Sequence, residues 1–246
     1  MVGPFQRSVA WLALGLAVVG DAEAQRPAEA LPQRSLALRF YTHGTGSVRD
    51  LYFFTQKGER QPLRLIPGSM TGRYVYRGPG RVQLYREERG SDGEPYDVPV
   101  AAVEVPAGMD EVLVLVLNQG TDRGPLHLFA TDDGADALPL NHLAFLNLTG
   151  APLEGLVGEQ PVRLGPGRSA ALPMESYFGQ PSVLLGLAVR HEGEARIVLE
   201  SRERYYPGRR TLIVLLPPSE AGSLQIVAFR LQELAPKVEA TEERRE

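Results

Sequence analysis

Residues 61–68, QPLRLIPG, and residues 160–167, QPVRLGPG, agree at six of eight positions at an offset of 99. Upstream, Gly58 and Glu59 match Gly158 and Glu159, and downstream Tyr76-Arg-Gly78 parallels Tyr177-Phe-Gly179. Pro106-Ala-Gly108 ahead of VLVLVL (112–117) parallels Tyr206-Pro-Gly208 ahead of LIVLL (212–216). The pairs LHLFA (126–130) with LQIVA (224–228), and LALRFY (36–41) with LAFLNL (143–148), complete the series. Corresponding segments in one order at offsets near 100 imply a unit of about 100 residues used twice, too long for a solenoid repeat and able to bury its own core.

The unit is written in strands. Leu36, Leu38 and Phe40 alternate with Arg39 and Tyr41, and Val82 and Leu84 with Gln83 and Tyr85, the period of a half-buried strand. VLVLVL and LIVLL are unbroken apolar runs of strand length, as suits a strand covered on both faces. LAFLNL is apolar on both faces as well, which places it under the other half or a partner. Lys57-Gly58, Pro67-Gly68, Pro166-Gly167 and Pro207-Gly208 punctuate the runs as turns. No window carries a helical stripe. The expectation is all-β: two tandem immunoglobulin-like sandwiches related by internal duplication, at 34–135 and 138–233. A linker at 25–33 precedes them and a charged, disordered tail at 234–246 follows.

Residues 1–24 have the features of a secretory signal. Arg7 supplies the positive region, residues 9–20 the uncharged run, and Ala22-Glu23-Ala24 the small residues before cleavage between Ala24 and Gln25. The run is too short to span a bilayer, so no membrane span remains after cleavage. The expected location is periplasmic or extracellular. With no Cys among 246 residues, stability must come from packing instead of disulfides. A formal charge of −4 supplies no field for gathering phosphates, so nucleic acid is not an expected partner.

Catalytic patterns are absent at the level of local sequence. No G-x-S-x-G occurs, and Ser69 and Ser169 follow the repeated Pro-Gly turns as equivalent loop residues. His127, Asp132, Asp133, Asp136 and His142 lie close along the chain but lack metal-ligand spacing, and Asp-Asp-Gly is ordinary turn chemistry. Residues 43–47, HGTGS, are followed by a strand where a phosphate loop needs a helix. Glu87, Glu88, Asp92 and Glu94 fall in one polar hairpin segment, and Asn147-Leu-Thr149 is a glycosylation triplet by pattern. No cofactor and no metal is expected.

Binding is the remaining possibility. Strand alternation sets Arg39, Tyr41 and His43 on one face and Tyr85 on another such face; if these belong to one sheet, Tyr41, Tyr85 and Tyr74 form an aromatic platform for a glycan or protein partner. The reading is an exported, non-catalytic binding or structural component of a cell envelope. Two alternatives stand beside it. The length and two-sandwich layout resemble pilus chaperones, which implies an adaptor acting through an edge strand, although that family's basic anchoring residues cannot be placed here. A secreted glycan hydrolase would need two converging acids in a cleft between the halves.

Overall fold

The structure is a computed structural model and describes residues 33–44, 48–118, 124–220 and 222–234. The signal segment with Ala24 and Gln25, residues 25–32 of the 25–33 linker, residues 45–47 of the HGTGS loop and all but Leu234 of the tail lie outside the described residues, while Gln33 and Leu234 belong to strands. The described chain is all-β, seventeen strands in four sheets with one short 3-10 turn at Glu175–Tyr177.

In the first half, β1 (Gln33–His43), β4 (Tyr74–Pro79), β7 (Glu111–Asn118) and β8 (Leu126–Asp132) form one sheet in the order β4-β1-β7-β8. Strands β2 (Leu51–Phe54), β3 (Arg60–Pro62), β5 (Arg81–Arg89) and β6 (Pro95–Glu104) form a second, β3-β2-β5-β6. In the second half, β9 (His142–Asn147), β12 (Gly167–Arg168), β13 (Leu172–Pro173), β16 (Arg209–Leu216) and β17 (Val227–Leu234) make a sheet in which β12 and β13 both border β9. Its companion is β11-β10-β14-β15, from β10 (Leu153–Val157), β11 (Gln160–Leu164), β14 (Val183–His191) and β15 (Glu194–Glu203). All ladders are antiparallel except two, β1 with β7 and β9 with β16.

The apolar runs explain the layering. Along β7, Val112, Val114 and Val116 point into a buried cluster with Leu38, Phe40, Phe53 and Leu84, between the two sheets of the first half. Leu113 and Leu115 point the other way, into a cluster with Ala144, Leu146, Leu212 and Val214 of the second half. Strand β16 repeats the division, with Ile213 and Leu215 in the second half's own core. The sheets containing β7 and β16 therefore pack back to back, and each of these strands is covered on both faces, which is why neither shows a polar side.

Both halves use the same local devices. Positive-φ glycines stand at 58 and 158, 68 and 167, 93 and 193, and 108 and 208. One hairpin in each outer sheet carries a register irregularity, β5–β6 at Leu84/Tyr85 and β14–β15 at Leu187/Ala188. The edge of β1 loses its strand partner after Leu38, and the Phe40 N–H donates instead to Thr71 Oγ1 at 3.0 Å while the Phe40 carbonyl accepts from the Thr71 N–H at 2.9 Å. Phe145 makes the same reciprocal pair with Ser169, both at 2.9 Å. A buried backbone donor needs a partner, and a short hydroxyl side chain supplies one where a strand would not fit. This corrects the expected equivalence of Ser69 with Ser169: Thr71 has the matching role.

Candidate functional site

Arg39, Tyr41 and His43 do share a face of β1, but that face is turned into the contact between the halves. Arg39 and Tyr41 are only 7% and 9% exposed. The Tyr41 ring stacks on Phe229 of β17 with centroids 5.5 Å apart, and the His43 ring lies on the same Phe229 at 4.0 Å. Burial pushes the Tyr41 hydroxyl pKa up and the His43 imidazole pKa down. Arg39 is the centre of an ion network. Its Nε and Nη2 donate to the two Asp133 oxygens at 2.6 and 2.7 Å, and its Nη1 and Nη2 to the two Glu233 oxygens at 2.6 and 2.9 Å. Arg210 closes the square, donating to Glu233 Oε2 from Nε at 2.8 Å and to the Asp133 carbonyl at 2.9 Å. The bond from Arg39, opposed by burial and aided by Arg210, holds the Glu233 carboxyl down at about 2.

The single platform of Tyr41, Tyr74 and Tyr85 is not formed, because β1 and β4 lie in one sheet and β5 in another. Tyr74 is half-buried and meets Phe40 and Phe53 edge-on at 5.9 and 6.1 Å, as part of the first core. Tyr85 faces outward in company the sequence did not reveal. It sits directly across the ladder from Tyr52, rings stacked at 6.1 Å, and meets Phe54 edge-on at 4.9 Å. The Arg60 guanidinium lies 5.0 Å over the Tyr52 ring, bonds Asp97 at 2.6 Å and also pairs with Glu87. The Tyr52 hydroxyl donates to Asp97; burial, then that bond to an anion, raise its pKa to about 12.

Between this outward aromatic group and strand β4 runs a cleft of about 470 Å³. Phe54 and Tyr85 give it apolar ring surface, Gln56 and Gln83 amides, and Arg77 and Arg81 guanidinium groups. A smaller hollow of about 220 Å³ shares Thr55, Gln56 and Arg77 with it and adds Lys57 and Glu59. Gln83 is oriented by a bond from Nε2 to the Ala101 carbonyl at 2.8 Å. The side chains of Gln56, Lys57 and Arg77 are exposed and make no hydrogen bond or ion pair among the described residues, so their donors face solvent in the groove. The Tyr52–Tyr85 pairing is the one signal that points here, and it is visible only once β2 is known to pair with β5.

Other sequence candidates resolve differently. Asn147 is 1% exposed, its Nδ2 donating to the carbonyls of Ala151, Leu164 and Gly165 and its Oδ1 accepting from Thr149, so the glycosylation triplet is a buried structural turn. Asp132 accepts the Gly134 N–H at 2.8 Å, the turn geometry expected of Asp-Asp-Gly. Among the described residues, no cluster of three or more His, Asp or Glu is disposed to hold a metal ion. Glu87 and Glu88 lie on β5 and Asp92 and Glu94 in its hairpin turn, as the polar segment implied. Among the described residues no helix is long and apolar enough to cross a membrane. In comparisons with known proteins, no family model and no curated protein matches the chain.

Proposed function

We propose that this chain is an exported, non-catalytic binding protein of the cell envelope or extracellular space, built from two duplicated sandwiches, and that the groove beside Phe54 and Tyr85 binds a glycan. The observation that carries the reading is the composition of that groove. Aromatic faces receive the C–H faces of sugar rings, while amide and guanidinium donors with no protein partner match sugar hydroxyls. Among the described residues only Glu59 contributes a carboxylate to the two hollows, whereas glycoside hydrolysis takes two flanking acids, which favours binding over cleavage.

Duplication is supported by the recurring positive-φ glycines, the Thr71 and Ser169 edge bonds and the shared strand order. The likeness to immunoglobulin domains lies in unit size and layering. The strand order differs: there the first strand borders the second, and here β1 borders β4 and β7. Export rests on the N-terminal segment alone, and N-terminal sequencing of secreted material should begin at Gln25.

The test of the function is a glycan array probed with the purified protein, followed by Tyr85→Ala and Arg77→Ala. Arg77 is exposed and Tyr85 lies partly buried on the outward face, outside both cores, so both variants should fold and lose binding by about tenfold or more, consistent with about 1–3 kcal/mol for an aromatic or charged contact. Absence of binding to any glycan, or binding unaffected by either change, refutes the proposal.

A further inference from the structure

The face-to-face contact between the two halves is closed at one end by the Arg39, Asp133, Arg210 and Glu233 network and, among the described residues, is open at the other. On the first half's sheet, successive rungs read Tyr41–Leu115–Phe129 and then His43–Leu117–His127. The inner rung is packed: Tyr41 stacks on Phe229, and Leu115 is fully buried. At the outer rung the sheets separate. His43, Leu117 and His127 form one wall and Leu148, Leu216 and Val227 the other, enclosing a trough of about 710 Å³. Leu216 and Val227 are directly opposed in the β16–β17 ladder, and Pro217 and Pro218 continue the wall. Two consecutive prolines contribute no backbone donors, so this rim stays apolar.

Leu117, Leu148, Leu216 and Phe129 continue the interface pattern yet remain only partly buried. The described lining includes no Asp, Glu, Lys or Arg. Its imidazoles are those of His43, seated on Phe229, and His127, exposed at the mouth; β7, β16, β17 and Leu148 just after β9 add uncharged residues to the described lining. An apolar trough of ligand size between two packed bodies, with a few polar groups at the rim, is the usual form of a small-molecule site. We infer that this trough binds a single-chain amphiphile with an anionic head, of the fatty-acid class, its alkyl chain between Leu117 and Leu216 and its carboxylate at the imidazoles of His43 and His127. The inference is independent of the glycan reading, since the two sites share no residue.

The experiment is calorimetric titration of the purified full chain with linear carboxylates of eight to fourteen carbons, below their micellar concentrations, at pH 7.5. Affinity should rise about tenfold for each two methylenes until the trough is filled, as burial of alkyl surface requires. Leu216→Asn should weaken binding by at least tenfold, and Val227→Gln on the same wall provides the reading if Leu216→Asn does not fold. His127→Gln should weaken binding of the carboxylate and leave binding of the neutral alcohol of the same length unchanged. Affinity independent of chain length, or unchanged in a folded wall variant, overturns the site. Equal affinity for the neutral alcohol of the same length overturns the anionic head.

Discussion

Replacing Arg39 by Met tests the central claim about how the two halves are held. The methionine keeps most of the side chain's length and apolar bulk and deletes the guanidinium. Four hydrogen bonds are lost, two to Asp133 and two to Glu233, all between 2.6 and 2.9 Å. Glu233 is about a third exposed and can recover water, so its share is small. Asp133 cannot: its side chain is 10% exposed, and among the described residues its carboxylate keeps only Arg210 Nη2 at 3.3 Å. Breaking one partner from a buried ion pair costs about 3–5 kcal/mol, because the remaining charge stays desolvated. For a body of this size that lowers the melting temperature by roughly 6–20 °C, at about 2–4 °C per kcal/mol. The paired change Arg39→Met with Asp133→Leu removes both buried charges and should recover most of the loss, since a buried pair and its apolar replacement are often close in stability. Thermal and urea unfolding of the wild type, the single variant and the double variant decide the matter. A single variant within about 1 kcal/mol of wild type, or a double variant worse than the single, refutes the reasoning.

Glu233, held at about 2 against an ordinary carboxyl value of 4.5, stabilises the fold fully above pH 4.5 and progressively less as pH falls toward 2; melts across that window should show a loss that Glu233→Gln flattens. Asn147→Ala should leave three carbonyls short of a donor and cost about 1–3 kcal/mol in urea unfolding, and mass spectrometry of protein from a glycosylating host should find Asn147 unmodified. Gly155→Ala would set a Cβ 1.9 Å from the Gly186 carbonyl oxygen across the β10–β14 ladder; overpacking of that kind costs about 1–3 kcal/mol, seen as faster amide exchange in β10 and β14.

The strands and the double-sided cover of β7 and β16 were legible because alternation and its absence are local signals. Even an imperfect alignment kept this information. LALRFY and LAFLNL were matched at an offset of 107, while their bonds to Thr71 and Ser169 make Phe40 the counterpart of Phe145. A slip of two residues leaves every side chain on its own face, so the inward and outward assignments survived it. Arg39 was misjudged for a different reason. A charged residue on the polar side of a strand resembles a solvent-facing one, and its partners stand 94 and 194 positions away along the chain. The same limit hid Tyr52 beside Tyr85, whose proximity depends on a nonlocal strand pairing, and made a buried Asn147 look like a surface triplet.

The back-to-back contact also governs what happens if the chain is divided. A fragment ending near residue 137 would keep a complete internal core yet uncover Leu113 and Leu115 as a flat, water-facing plane, and the complementary fragment would bare Ala144, Leu146, Leu212 and Val214. Surfaces of that kind drive self-association, so each liberated half should form aggregates or reassemble with the other when the two are co-expressed.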